Sequence, residues 1–591
     1  MINYIYKHFL KIFVDSRITS NYKIKSSKDI IVTKILIHQS KMSDFLVSPI
    51  RILAIFFLIT YFYPSKVILR MSPYHIFNGC RMSNLFILRK LVRLHDSIFE
   101  IANVKDDTLI NNKKIRNLKK LKKKYDFIII GSGPSGCVSA DELKKAGFEV
   151  LLIDSALNES KKIPEYSYSE MLHKYKNGGI TATFGNSNIA YVEGSTPGGG
   201  SEVNSGLYHR IPEKTLNYWV KHFGWDKNIS KKLKNYYENI EKKLSISHFP
   251  KTFLPKASLK LFEGAQKLGW SSQEVPRWFK FDNKNLPNGK RMTMNETYLK
   301  SFLNNGGHFS DGIKVSKIKK VNNVWEVIYS KKRKKEILTS KRIILCAGTI
   351  STAQILKKSK ISKVAGRRFQ VHPTIKVVAL FDDKVNSSKM GVPVHQVKEF
   401  SPAISLGCSI SSKPYLRIAM LDHFDKVNLV EKKWKNMAIY YAMITPEGFG
   451  RIFNLPFYKD PFVTYNLTKM DQINLARGLK VLSRLLLKSN AKMIFPSIQN
   501  GPLVEKEEDI KKLPDIINTK TTSLMTVHTF SSCPIGSNKK MCVANQYGSV
   551  YDHKGLYIND GSMLPSAPGV NPQGGIMALA KRNIERIILN S

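Results

Sequence analysis

Residues 125–154 read YDFIIIGSGPSGCVSADELKKAGFEVLLID. The apolar run YDFIII has the length and β-branched content of a buried strand. It enters Gly131-Ser132-Gly133-Pro134-Ser135-Gly136, a helical pattern follows, and a second apolar run ends on Asp154. Each glycine has a reason in that pattern. Gly131 permits a tight turn, Gly133 lets backbone approach a pyrophosphate, and Gly136 lets the helix pack closely on the strand. A phosphate then meets the positive helix N-terminus, with Ser135 in its first turn. Asp154 follows Gly136 by 18 residues, where a carboxylate can accept hydrogen bonds from an adenosine ribose. The stretch predicts an α/β dinucleotide-binding unit.

Outward from that unit, 591 residues exceed one compact core, so two or more domains are expected. Apolar residues make up 42% and charged residues 24%, a globular balance. The net charge of +49 accompanies high Lys, Asn and Ile throughout, as an AT-biased coding sequence gives, and most lysines are expected to be solvated. No helix-turn-helix, zinc-finger or RNA-binding signature is present, so nucleic acid is not an expected partner. Cysteines 80, 137, 346, 408, 533 and 542 form no CxxC pair. That spacing fits a reducing, cytoplasmic setting and predicts neither a disulfide scaffold nor a metal site.

Residues 1–121 read as a basic, irregular and weakly patterned extension of unknown role: a helical cap, a membrane-surface anchor or an upstream translation artefact. Lys7 and Lys11 interrupt the early apolar stretch, which argues against a secretory signal. ILAIFFLITYFYPS (52–65) has fourteen uncharged residues, short of the roughly 20 that a spanning helix needs. It predicts a buried or interfacial helix. Arg51, Lys66 and Arg70 flank it, so association of residues 45–70 with a membrane surface stays open. KKIRNLKKLKKK (113–124) reads as a solvated linker and SKKRKKE (330–336) as an exposed hairpin tip.

Three further segments carry chemistry: GSTPGGGSEVNSGLYHRIP (194–212), VHTFSSCPIG (527–536) and GLYINDGSMLPSAPGVNPQGG (555–575). Taken singly, the first is a flat ligand loop or an ordinary surface turn. His528 and Asn571, taken singly, read as structural. In order and spacing, however, these blocks together with GSGPSG resemble the glucose–methanol–choline (GMC) oxidoreductase family over about residues 125–590. RMTMNETYL (291–299) and IILCAGTISTAQIL (343–356) are similar to intervening family segments. GVNP with the downstream ALA-x-RN helix resembles the sterol and long-chain-alcohol oxidase branches most.

The resemblance implies an FAD-binding Rossmann-like domain of discontinuous segments (122–215, 286–375 and 525–591) and a sheet-based substrate domain (216–285 and 376–524). It places Gly131, Gly133, Ser135, Gly136 and Asp154 at the adenine and pyrophosphate end of FAD, with backbone at Val315 against adenine. Gly199, Ser201 and Asn204 would run along the flavin. Asp560 and Gly561 would meet the pyrophosphate–ribityl region, and Asn571 and Pro572 the reactive face. Some relatives attach FAD through a His before the second motif's Asn; here that residue is Val203, which implies non-covalent FAD. His528 would act as base while hydride leaves the carbinol carbon for flavin N5, and Asn571 would position the substrate oxygen. Gly574 and Gly575 are expected to let helix N–H groups approach the flavin ring. Glu399 is the nearest analogue of a carboxylate used by the sterol branch, and His372 reads as structural. The implied function is FAD-dependent oxidation of an alcohol to a carbonyl, with oxygen, a quinone or a cytochrome as electron acceptor. The alternatives are a sugar dehydrogenase of the same family, or a non-redox flavin lyase or flavin-binding protein.

Overall fold

The apolar run at 125–130 lies in the strand Lys124–Ile130, in the middle of a parallel sheet. The fold is that of a computed structural model, which describes residues 2–18, 27–103, 110–111, 121–122, 124–157, 161–251, 254–282, 289–331, 334–388 and 391–591. Strands His308–Ser310, Val150–Ile153, Lys124–Ile130 and Lys334–Leu345 follow one another in parallel, and Leu556–Ile558 pairs parallel to the last of them. Phe127, Ile128 and Ile129 are fully buried, as a strand covered on both faces requires. Helix Pro134–Lys145 packs on the C-terminal helix Gln573–Leu589, so chain ends more than 400 residues apart share this layer.

The long strand Lys334–Leu345 serves two partners. Its second half joins the parallel sheet, and its first half closes an antiparallel meander with Val324–Lys331 and Lys314–Val321. The basic run at 330–336 is the tip of that hairpin: Lys331 pairs with Lys334, and residues 332 and 333 lie outside the described residues. Most of the basic run 113–124 also lies outside them.

A second sheet orders Ile189–Tyr191, Leu524–Thr526, Thr374–Phe381, Met437–Ile444, Ile404–Cys408, His395–Val397 and Ser272–Glu274; Ala491–Pro496 also pairs with Thr374–Phe381. Alternation divides its residues between two faces. Ile375, Val377, Ile404, Leu406, Ala442 and Val397 join the main core, over which helices Lys256–Lys267 and Lys469–Lys488 pack. The opposite face carries Thr374, Lys376, Gln396, Ser405 and Tyr441 at one end. At its other end Val378, Met437 and Ile439 enter a separate core.

That separate core belongs to the N-terminal region, and it overturns the expectation of an irregular extension. Helices Ile2–Ile18, Lys28–Lys41, Asp44–Phe57, Pro73–Met82 and Phe86–Ala102 bury Phe9, Phe13, Phe57, Phe77 and Phe99 against one another and the second sheet. The helical period was present in Leu91, Val92, His95, Ile98, Phe99 and Ala102, all buried. Buried charges hid it. Asp96 accepts from Arg81 at 2.7 and 2.8 Å, Arg17 pairs with Glu100, and Arg417 reaches Glu100 at 2.6 Å, which ties this cap to the helix Lys413–Ala419. The apolar segment also extends further than fourteen residues, as one helical run from Asp44 to Val67 that includes a π-helical turn at Leu58–Phe62.

Candidate functional site

The first glycine turn is built as its spacing predicts. Gly131 has φ +108°, and a Cβ there would sit 2.1 Å from the Cys346 carbonyl oxygen. A Cβ at Gly136 would sit 1.9 Å from the Gly131 carbonyl oxygen, so strand and helix touch only through glycine. Gly133 differs: a Cβ there would meet nothing within 4 Å. The helix it caps has no side-chain cap, so its first N–H groups are free for an anion. The second glycine loop closes over this opening, since a Cβ at Gly199 would lie 2.8 Å from Gly133 Cα. An open, uncapped cradle between two glycine loops fits the pyrophosphate of FAD.

The other expected cofactor residues are held in place by the protein's own hydrogen bonds. Asp154 accepts from the Ser132 amide at 2.8 Å and hydroxyl at 2.6 Å and from the Ala156 amide at 2.8 Å. Burial raises its pKa against those bonds. Its carbonyl accepts from Ile313 N–H at 2.8 Å, which sets the start of the Val315 strand beside it. Ser135 is buried in the helix's first turn. The Ser201 hydroxyl donates to the Gly198 carbonyl at 2.8 Å and holds the loop in shape. Asp560 is buried and its carboxylate is engaged by Gly348 N–H, the Thr352 hydroxyl and Ser562, so it braces the turn at Gly561. Asn204 donates to Gln573 at 2.7 Å and ties the second loop to the head of the last helix, beside Pro572.

At that helix head the structure brings His528 and Asn571 together across 43 residues of sequence: Asn571 Nδ2 lies 3.2 Å from His528 Nε2. Both side chains retain partial exposure deep in the protein. Burial, then the ammonium of Lys398, holds the His528 pKa down to about 4, so its imidazole is neutral at pH 7. His372 is no remote structural residue, because its Nδ1 lies 3.1 Å from His528 Nδ1. Gly569 N–H donates to His372 Nε2 at 3.0 Å. Gln396 Nε2 donates to Asn571 Oδ1 at 3.3 Å and to the Tyr441 hydroxyl at 3.1 Å. His209 stands against the Gln396 amide, its ring nitrogens buried and short of hydrogen-bond geometry. Burial, then Lys398 and His528, pushes its pKa down to about 3.

Two expectations are corrected. Glu399 is exposed in the turn after strand His395–Val397 and accepts from Ser271 N–H at 3.0 Å; Gln396 and, just past the strand's end, Lys398 are the residues on the site's face. Gly574 and Gly575 serve protein packing: a Cβ at Gly574 would lie 2.5 Å from the His209 carbonyl oxygen, and one at Gly575 2.4 Å from Ile211. The glycines admit the segment that carries His209. Sequence reading missed Gln396, Tyr441, His209 and Lys398. One signal was available in HQVKEF, where Gln396 and Lys398, two positions apart, share one side of an extended segment.

Residues 125–374 match the N-terminal family model described as GMC oxidoreductase, and residues 458–580 match the C-terminal one. An uncharacterised GMC-type oxidoreductase of Sinorhizobium fredii is 31% identical over 79% of this chain and 95% of its own length. A long-chain-alcohol oxidase of Arabidopsis thaliana is 25% identical over 77% of this chain and 65% of its own length. In fold, the crystal structure of pyridoxine 4-oxidase from Mesorbium loti aligns with a TM-score of 0.60 at 15% identity, covering 78% of this chain and 99% of that one. With both family regions matched, three motifs meeting at one cradle and a neutral His beside an Asn at its end, the chain belongs to the GMC oxidoreductase family and is an FAD-dependent enzyme acting on CH–OH groups.

Proposed function

We propose that the protein oxidises an alcohol to its carbonyl, with His528 taking the hydroxyl proton and Asn571 holding the oxygen. The observation that carries this reading is the pair itself: a neutral imidazole and an amide 3.2 Å apart at the end of the cofactor cradle. Bound FAD supplies the hydride acceptor. An amide cannot titrate, so the proton work falls on His528. In this role kcat/KM is lost as pH falls through about 4, where His528 becomes protonated. A sugar hydroxyl would meet the same pair. FAD is held without a covalent link, because Val203 offers no nucleophile at the attachment position; flavin is expected in the supernatant of acid-precipitated protein. Oxygen, a quinone or a cytochrome then takes the electrons.

One hydrogen bond favours a second reading of His528. Gly569 N–H occupies His372 Nε2, which leaves the proton of a neutral His372 on Nδ1, facing His528 Nδ1. A neutral His528 accepting there carries its own proton on Nε2, which requires the Asn571 amide to turn its oxygen rather than Nδ2 toward that nitrogen. It would then donate to the substrate oxygen and stabilise the alkoxide, rather than receive the proton. His528→Ala and His528→Gln separate the two, because an amide can donate but cannot take a proton. If His528 is the base, both variants lose about 10²- to 10⁴-fold in the rate of anaerobic flavin reduction by alcohol. If it is a donor, Gln restores much of what Ala loses. Wild-type rates in both variants would remove His528 from the reaction.

The apolar outer stripe of the helical cap supports association with a membrane surface, and the cysteine spacing alone supports a cytoplasmic location. Ile52, Phe56, Ile59, Tyr63 and Val67 recur at helical spacing on one face of the Asp44–Val67 run. Phe56 is 62% and Val67 71% exposed, whereas Ala54, Phe57, Leu58 and Phe62 on the opposite face are buried. A helix held by protein along one side lies in an interface rather than crossing it. Exposed Lys66 and Arg70 at its end suit anionic headgroups. The full chain is expected to sediment with vesicles of mixed neutral and anionic phospholipid, and F56E/I59E to stay in the supernatant. Equal sedimentation of both proteins overturns this placement.

A further inference from the structure

The second sheet carries two amines on the face that looks toward His528, and among the described residues neither has a carboxylate against it. Lys398 follows Gln396 on the same face of strand His395–Val397, and its Nζ donates to the Ser405 hydroxyl across the strand pair at 2.9 Å. Its ammonium acts on His209, His372 and His528 alike, so it stands among the histidines of the site. Lys376 lies on the same face, and register aligns it with Tyr441, Gly407 and Gln396 across four strands. Among the described residues no Asp or Glu acts on either amine. Glu399, next in sequence to Lys398, turns outward to Ser271. Both lysines lie deep in the protein yet keep part of their surface open.

A buried lysine without a counterion is costly unless it gives up its proton or meets an anion. Burial does lower the pKa of both amines, to about 8, which leaves them mostly charged at neutral pH. Among the described residues no carboxylate neutralises that charge. Solvated surface lysines are common in this chain; two on the inner face of the substrate sheet are a different matter.

We propose that the substrate alcohol carries a carboxylate, and that Lys398 with the Ser405 hydroxyl receives it while the His528–Asn571 pair holds the hydroxyl. The inference rests on the alcohol oxidation argued above and adds the substrate class: a hydroxy acid. Gln396 separates the two ends, since it reaches Asn571 on one side and shares a strand face with Lys398 on the other. A charge-assisted contact of this kind favours the acid over a neutral analogue of the same shape.

The test is anaerobic flavin reduction by short-chain hydroxy acids, each paired with its methyl ester, in the flavin-loaded wild type, Lys398→Met and Lys398→Arg. At least one acid is expected to exceed its ester in kcat/KM by about 10- to 100-fold in the wild type. Lys398→Met should collapse that ratio toward one, chiefly through KM, and Lys398→Arg should restore part of it. If esters reduce the flavin as well as every acid does, or if Lys398→Met keeps the ratio, the hydroxy-acid assignment fails while alcohol oxidation stands. If no acid, ester or alcohol reduces the flavin, both fail.

Discussion

Two helices of this protein begin in the same way and mean different things. Pro134–Lys145 and Gln573–Leu589 each follow a proline or glycine turn, and neither has a side-chain cap. At the first, Gly133 opens onto free space. At the second, Gly574 and Gly575 are filled by the backbone and side chains of residues 208–211. One glycine leaves open space beside it and the others make room for protein. A missing cap therefore does not identify a ligand site until the space beside it is known.

Alanine substitutions break this comparison most directly, and the largest effect is expected at Gly131. Its φ of +108° and the 2.1 Å approach to the Cys346 carbonyl leave an alanine no place to go. Gly131→Ala should cost on the order of 3 kcal/mol or more and yield protein without flavin, read by thermal unfolding and flavin content. Normal flavin content in a stable variant would contradict the turn.

Gly574→Ala should be intermediate. Its Cβ would press on the His209 carbonyl and the Tyr208 ring, costing about 1–3 kcal/mol, and displace Asn571 from His528. Both the melting temperature and the rate of flavin reduction should fall. A loss of flavin affinity with unchanged stability would instead return Gly574 to the cofactor. The smallest effect on stability belongs to Gly133→Ala, whose φ of −65° any residue adopts. Its melting temperature should change little while FAD binding weakens by about tenfold, because only the ligand is crowded. Equal FAD affinity would show that backbone at Gly133 does not approach the pyrophosphate.

A second contrast, between the segments that carry His528 and Asn571 and the sheet opposite them, shows how far the sequence could be read. His528 and Asn571 stood out because each lies in a short turn motif with fixed neighbours. Gln396, Lys398, Ser405 and Tyr441 lie on three strands and have no motif. They form one surface only because the register sets Gln396 against Gly407 and Gly407 against Tyr441. A shift by one residue would turn Lys398 to the helix side. His372 shows the same limit: its strand-end position is legible, its 3.1 Å contact with His528 is not. The N-terminal cap stayed one of three readings because Arg17, Arg81, Asp96 and Glu100 read as solvent-facing charges, yet they neutralise one another in a buried network.

The sequence by itself determined the nucleotide turn, the family and the identity of the His–Asn pair. Tight turns and helix starts are encoded within a few residues whose backbone angles and missing side chains leave one solution. Tertiary structure alone decided what each glycine clears, which strand residues face the His528–Asn571 pair, that two amines there lack counterions among the described residues, and that the N-terminal helices form a cap with an apolar outer stripe. Those properties depend on what lies across a gap, and the residues across it come from hundreds of positions away.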